Sequence, residues 1–374
     1  MDKKKNKIEK KERIKYLTSG NEACGEGAIK AGCRFYAGYP ITPQNELTAY
    51  MSKRMEEEGG VFIQAESELA AISMVHGASV TGARAMTSSS SPGISLKQEG
   101  ISYIAATELP CVIVNVMRGG PGLGNIAPAQ GDYFQATKGG GHGDYRVIVL
   151  APATAQEMFD LTYEAFALAD KYNNPVMILA DGMLGQMMEK VEFDPGIKPL
   201  GEVKKPWALT GAKGRKAMSK KSLFLGSGVL EEHNIKLQKK YSIIVKKESR
   251  AEEYRTKDAE IIICAYGSMA RIARSAVDVL RDKGVKAGLL RPVTLWPFPE
   301  KNIEKHASRG AKFLVVEMSA GQMVEDVQRA AENKKSVGFY GRMGGGIPEE
   351  KEIEKKAENM LRQNPKKVKR REKK

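Results

Sequence analysis

The chain reads as an α/β protein: a doubly wound, mainly parallel sheet, then a second and smaller α/β domain. From about residue 18 to 195, short runs of strand-forming residues alternate with helical segments. A Lys-, Gly- and Pro-rich stretch with weak periodicity, 196–252, separates this block from a second alternating one at 253–349. Such alternation builds a parallel sheet covered by helices on both faces. At 374 residues the chain is long enough for two sizeable cores.

In the first block, strands are expected at 34–37, 61–64, 85–88, 111–117, 146–150 and 175–179. The run "CVIVNVM" at 111–117 is apolar but for Asn115, as suits a strand of a sheet wrapped on both faces. Helices are expected at 44–57, 67–81, 96–106 and 155–172. The first follows "FYAGYPITPQNELTAYM", residues 35–51. There Pro40 turns Tyr39 away from helical geometry. Thr42 offers an N-cap, and Pro43 suits the first helical position. Two prolines around Ile41–Thr42 fix the loop tightly, as a loop that presents something requires. The stretch 196–252 reads as an interdomain arm ending in a helix near 230–246. In the second block, "AEIIICAYGS", "AGLLRPVTLWPF" and "AKFLVVEMS" supply strands, with a helix at 269–283. Catalytic loops of such sheets lie beyond the carboxyl ends of the strands, where residues 39–43 and 88–93 both fall.

The net charge of +15 points toward nucleic acid only until it is located. Residues 1–15 carry eight Lys or Arg against three Asp or Glu, and residues 350–374 carry eleven against five. The expected tails, 1–17 and 350–374, thus hold most of the excess and read as solvated segments. "PKKVKRREKK" has no aromatic residue to stack on bases, so no specific nucleic-acid binding is expected. No apolar run approaches the roughly 18 residues of a membrane span. The opening residues lack the apolar core of a secretory signal, so a cytoplasmic location and no membrane partner are expected. Cys24, Cys33, Cys111 and Cys264 form no C-x-x-C pair, so no metal or cluster site is expected on this chain.

Three places suit chemistry. In "QAESELAAISMVHGAS", Glu66 and Glu68 open a helix, where carboxylates are favoured by its dipole. Glu68 is also followed by an apolar run, and burial in such surroundings favours a carboxyl's protonated form, fitting it to move a proton near neutrality. "SSSSPGISL" ends a strand with small residues that let a ligand or a neighbouring subunit come close. Arg118, in "NVMRGGPGLGN", sits at a strand end before a glycine loop, where a guanidinium can grip a carboxylate bidentately. His142 reads as an ordinary loop histidine. No phosphate-binding glycine fingerprint and no G-x-S-x-G nucleophile elbow occurs.

With Tyr39–Pro43, Ser67–Glu68 and Arg118 in place, the sequence resembles the alpha subunit of the 2-oxoacid:ferredoxin oxidoreductases. The likeness runs over about residues 18–350, through "AGYPITPQNE", "ESELAAI..VHGAS.TGARAMT", "S.SPG.SL..EG", "RPVTLWPFP", "EMSAGQMVEDV" and "GRMGG" in family order. The wording leans to the 3-methyl-2-oxobutanoate (2-ketoisovalerate) type, with the 2-oxoglutarate and pyruvate types as neighbours. The resemblance implies a thiamin pyrimidine-binding domain and then a domain like the C-terminal one of transketolase. It implies that Glu68 meets the pyrimidine ring, Thr42 faces the substrate carbonyl and Arg118 pairs with the substrate's carboxylate or carbonyl. It puts Tyr39, Pro40, Ile41, Ser91 and Gly93 around the same cofactor; Ser91 stands where relatives often have Gly. It implies thiamin diphosphate shared with a beta subunit that carries the diphosphate–Mg site and an iron–sulfur cluster. Ferredoxin-like gamma and delta subunits, ferredoxin, CoA and a 2-oxoacid complete its implied partners. The magnesium motif itself is missing: "LADGML" has Ala180 in place of the first Gly.

Overall fold

The computed structural model describes residues 14–193 and 196–362. The first domain runs β1 (Ile14–Ser19), α1 (Gly20–Lys30), β2 (Phe35–Gly38), α2 (Asn45–Glu57), β3 (Val61–Gln64), α3 (Glu68–Val80), β4 (Ala85–Ser89), α4 (Ser91–Ala106) and β5 (Cys111–Met117). It continues with α5 (Tyr133–Lys138), β6 (Ile148–Leu150), α6 (Ala155–Tyr172), β7 (Pro175–Asp181), α7 (Gly182–Gln186) and β8 (Met188–Phe193). After the arm come α8 (Val229–Glu248), β9 (Ala251–Tyr254), β10 (Ile261–Cys264), α9 (Gly267–Asp282), β11 (Ala287–Pro292) and β12 (Thr294–Trp296). The rest is α10 (Glu300–Ala307), β13 (Lys312–Glu317), α11 (Met323–Ala331), β14 (Val337–Gly341) and α12 (Glu350–Arg362).

Among the described residues the main sheet has the order β12-β6-β7-β5-β4-β2-β3. All of its pairings are parallel except β12 with β6. Every residue of β5 and of β7 is buried, which is why both are apolar apart from Asn115 and the terminal Asp181. The second sheet, β14-β13-β10-β11-β9, is parallel but for β9. β1 and β8 form a separate antiparallel ribbon.

Four expectations need correction. Helix α1 was unmarked by the strand–helix pattern, yet Ser19 Oγ accepts from Glu22 N–H while the Glu22 carboxylate accepts from Ser19 N–H, a capping box written into the sequence. Its small residues let it lie close on α6: a Cβ on Gly27 would stand 2.4 Å from the Phe159 carbonyl oxygen. Second, the basic C-terminal tail begins later than residue 350. Through Arg362 the chain is helix α12, which buries Ile353 and Ala357 against the outer face of the second sheet. Third, strand β1 begins at Ile14, inside the segment expected as an N-terminal tail. The rest of both expected tails, 1–13 and 363–374, lies outside the described residues. Fourth, "AGLLRPVTLWPF" is two strands, and the second of them, β12, joins the main sheet rather than the sheet of its own domain.

The two domains are locked together. One buried apolar cluster contains Ile72, Ile101 and Ile113 together with Ile262, Leu290 and Phe313. Gln130 N–H donates to Met318 O, its side-chain oxygen accepts from Met318 N–H, and its Nε2 donates to Tyr266 O. Asp181, wholly buried at the start of α7, accepts from Ser268 N–H (3.0 Å), Ser268 Oγ (2.6 Å) and Leu184 N–H (3.1 Å). Asp181→Ala strips partners from all three and is expected to lower stability by about 3 kcal/mol, read as a drop in the urea midpoint. The arm is likewise fastened to the first domain. Arg84 donates to Leu200 O and Gly201 O, and both Arg84 and Lys205 pair with buried Asp170.

Candidate active site

β5, β4, β2 and β3 lie side by side in one direction, so the loops that follow them meet along one edge of the sheet. That is where this architecture places its ligands. After β3, Ser67 caps α3 by accepting from Ala70 N–H, and Glu68 opens the helix with only 6% of its surface exposed. After β4 come Ser89, Ser90 and Ser91. α4 begins at Ser91, five residues ahead of the expected start, because Pro92 falls in its first turn, where the missing N–H costs nothing. Gly93 therefore stands in a helix rather than a turn. A Cβ on it would lie 2.0 Å from Ser89 Oγ and 2.5 Å from Glu68 Oε1, so the glycine is a wall shared with both. The hydroxyls of Ser89 and Ser90 are buried and have no hydrogen-bond partner among the described residues.

The loop after β2 is held from below. Ser88 Oγ donates to Gln44 Oε1 (2.5 Å), as does Thr48 Oγ1 (3.1 Å), and Tyr36 hydroxyl lies 2.6 Å from Ser88 Oγ. Burial pushes that phenol up to about 12, so it stays protonated. Gln44 Nε2 then reaches back to the Tyr39 carbonyl. The helix starts at Asn45, so Thr42 is not its N-cap. Gln44 N–H closes a reverse turn on Ile41 O, which spends Pro43 inside the turn and leaves Thr42 Oγ1 accepting from Asn45 Nδ2. Pro43 is pinned in turn, its carbonyl accepting from Asn21 Nδ2 at 2.8 Å.

Arg118, the residue after β5, joins these loops. Its Nη1 donates to Thr42 O and its Nη2 to Leu123 O, each at 3.0 Å, while its Nε is buried without a partner. Its N–H donates to Ser91 Oγ, and Ser91 Oγ donates to Asp132 Oδ2 at 2.6 Å. Asn115 Nδ2 donates to the same carboxylate oxygen, and burial shifts Asp132 above the usual carboxylate range. Across the opening, Asn125 Nδ2 donates to Gly344 O, so the "GRMGG" loop of the second domain abuts the glycine loop after Arg118.

The structure thus brings together Glu68, Ser91, Gly93, Arg118 and Thr42. Tyr39 and Pro40 are exposed on the same loop as Thr42, and Ile41 is half-buried there. His142 is exposed on another loop. Gln44, Asp132 and Asn115 escaped the sequence reading. Each works through a partner many residues away, and no local spacing announces that.

Residues 26–256 match the family described as "Pyruvate flavodoxin/ferredoxin oxidoreductase, thiamine diP-bdg". Residues 259–353 match "Pyruvate:ferredoxin oxidoreductase core domain II". The molecule is therefore a thiamin diphosphate-binding α/β protein of two domains. The chain belongs to the pyruvate flavodoxin/ferredoxin oxidoreductase family, as the resemblance implied. "Ketoisovalerate oxidoreductase subunit VorB" of Methanothermobacter marburgensis is 52% identical to it over 340 residues, 91% of this chain and 96% of that one. "2-oxoglutarate synthase subunit KorA" of Archaeoglobus fulgidus is 42% identical over 334 residues, 87% and 94% of the two chains.

Among solved structures, the 2-oxoglutarate:ferredoxin oxidoreductase of Magnetococcus marinus with 2-oxoglutarate, coenzyme A and succinyl-CoA bound is 28% identical with a TM-score of 0.81. The likeness covers 94% of this chain but 66% of that one. A split-gene transketolase, 14% identical with a TM-score of 0.58 and covering 93% of this chain and 99% of that one, shares the fold alone.

The residues at the strand edge fit thiamin diphosphate. A buried carboxyl, two hydroxyls lacking partners and a glycine wall suit a flat ring with hydrogen-bonding nitrogens. Gly93→Ala is expected to weaken thiamin diphosphate binding by the assembled complex at least about tenfold, since the new methyl would overlap Ser89 Oγ and Glu68. Fluorescence quenching on cofactor addition measures it.

Proposed function

We propose that this chain is the alpha subunit of a thiamin diphosphate-dependent 2-oxoacid:ferredoxin oxidoreductase acting on 3-methyl-2-oxobutanoate. The reaction is oxidative decarboxylation with CoA to give acyl-CoA, CO2 and reduced ferredoxin. The observation that carries the reading is the buried Glu68 carboxyl set against Gly93 and Ser89 at the sheet edge. The choice of substrate is supported by the 52% identity to a ketoisovalerate oxidoreductase subunit, against 42% for a 2-oxoglutarate synthase subunit.

When bound, thiamin diphosphate supplies the carbanion chemistry that an amino-acid side chain cannot. Glu68 and the hydroxyls of Ser89 and Ser90 would hold its pyrimidine ring, with Tyr39, Pro40 and Ile41 on the neighbouring loop. Glu68, nearly buried, would hold and move a proton at its carboxyl oxygen, the role of a general acid–base group. Arg118 presents a guanidinium fixed between two carbonyls, placed to pair with the carboxylate of a 2-oxoacid. Thr42, tied to that guanidinium through its carbonyl, faces the substrate's own carbonyl. Ser91 and Asp132 steady the main chain of Arg118.

The diphosphate–Mg site and the iron–sulfur cluster belong, in this reading, to a beta subunit, with gamma and delta subunits relaying electrons to ferredoxin in the cytoplasm. No helix among the described residues is long and apolar enough to cross a membrane. The test is to co-purify the complex and assay a panel of 2-oxoacids with CoA and a viologen acceptor. Viologen reduction fastest with 3-methyl-2-oxobutanoate is expected. Preference for 2-oxoglutarate or pyruvate moves the chain to a neighbouring type. Turnover without CoA or any acceptor would point instead to a ferredoxin-independent thiamin enzyme.

A further inference from the structure

Directly beneath Glu68 lies a residue that neither the motifs nor the proposed reaction uses. Lys97, on the second turn of α4, occupies one of the free positions of "S.SPG.SL..EG" and has no exposed surface at all. Its Nζ donates to Thr87 Oγ1 on β4 (3.0 Å) and lies 3.4 Å from the main-chain oxygen of Glu68. Ile72, Ile94 and Ile101 belong to the apolar cluster between α3 and α4. A methionine would fill such a place at no electrostatic cost. An ammonium there is poorly solvated and is tolerated only when something compensates its charge.

The charge that favours this ammonium is that of Glu68, on α3, whose main-chain oxygen it also approaches; β4 offers the Thr87 hydroxyl, and the other charge on α4, Glu99, is exposed and accepts from Tyr103. We propose that Lys97 is a positioning residue: its buried ammonium is the counter-charge of the Glu68 carboxylate and ties the first turn of α3 to β4, fixing the group that moves the proton. The proposal rests on the functional reading above. Burial draws Lys97 down from 10.5 to about 8, against the opposing pull of Glu68, so the charge is present at neutrality and lost just above it.

The test uses the complex assembled with its partner subunits, carrying Lys97→Met, Glu68→Gln, or both. Wild-type turnover is expected to fall away above about pH 8, and Lys97→Met to lose that limb while running at least about tenfold slower at pH 7. Melting without cofactor or substrate gives a second readout. Below about pH 8 the lysine is charged whether the chain is folded or not, so the full cost of burying it is present there. Between about 8 and 10.5 the unfolded chain binds the extra proton, so wild-type stability gains on the methionine variant as pH rises through that window.

Lys97→Met should therefore melt above wild type at pH 7, with the gap closing by about pH 10. The same replacement should raise Tm further in the Glu68→Gln background, where the ammonium has no counter-charge. Melting shifts that simply add, together with an unchanged alkaline limb, overturn the proposal. A wild-type complex that oxidises no 2-oxoacid overturns the functional reading instead, and the melting cycle then decides the pairing by itself.

Discussion

Glu68→Gln is expected to cut 2-oxoacid-dependent viologen reduction by about 10³-fold while the complex still assembles, with a Tm lowered by the uncompensated Lys97 ammonium. Glutamine keeps the shape and volume of the side chain, so the wall made with Gly93 and Ser89 survives. It loses an oxygen that can take up and release a proton, together with the charge set against Lys97. The first turn of α3 stays capped, because the cap is Ser67 and not Glu68. The loss should therefore fall on kcat, with thiamin diphosphate still bound. Steady-state rates beside cofactor titration separate the two. Turnover close to wild type would mean that the proton moves elsewhere.

Arg118→Lys is expected to raise KM for the 2-oxoacid about 30-fold, equivalent to about 2 kcal/mol, with a smaller effect on kcat. A guanidinium spans Thr42 O and Leu123 O with two separate nitrogens and keeps a third N–H inside the site. A lysine ammonium is a single point on a flexible stem and cannot reproduce that planar fork. Substrate lacking its carboxylate, such as the corresponding aldehyde, should show little difference between variant and wild type. An equal loss with both substrates would assign Arg118 to loop structure rather than to carboxylate binding.

The strands of the main sheet's first-domain part were legible because burial on both faces demands runs such as "CVIVNVM"; the two-stranded ribbon of β1 and β8, half-exposed and charged, escaped. The start of α3 was legible for a similar reason: its cap and its acidic first turn are local. What escaped was whatever depends on distant partners. Ser91 and Pro92 look like a turn until Asn115 and Asp132 engage the serine from 24 and 41 residues away. Thr42 looks like a cap until the turn closed by Gln44 takes its place. Lys97 looks like a solvated helix residue, since sequence alone does not say that α3 will cover it. Glu68 and Arg118 could be picked out as residue types in suitable places. Their meeting with Thr42 and Ser91 required the sheet order.

The strand β12 has a further implication. By lending three residues across the domain boundary, the second domain seals what would otherwise be a bare rim beside β6. Two halves stitched in this way cannot swing apart like a jaw without breaking a sheet. The rim of the pocket formed by Asn125 and Gly344 then behaves as a fixed doorframe. Access to Glu68 and Arg118 therefore does not depend on a swing of the second domain against the first.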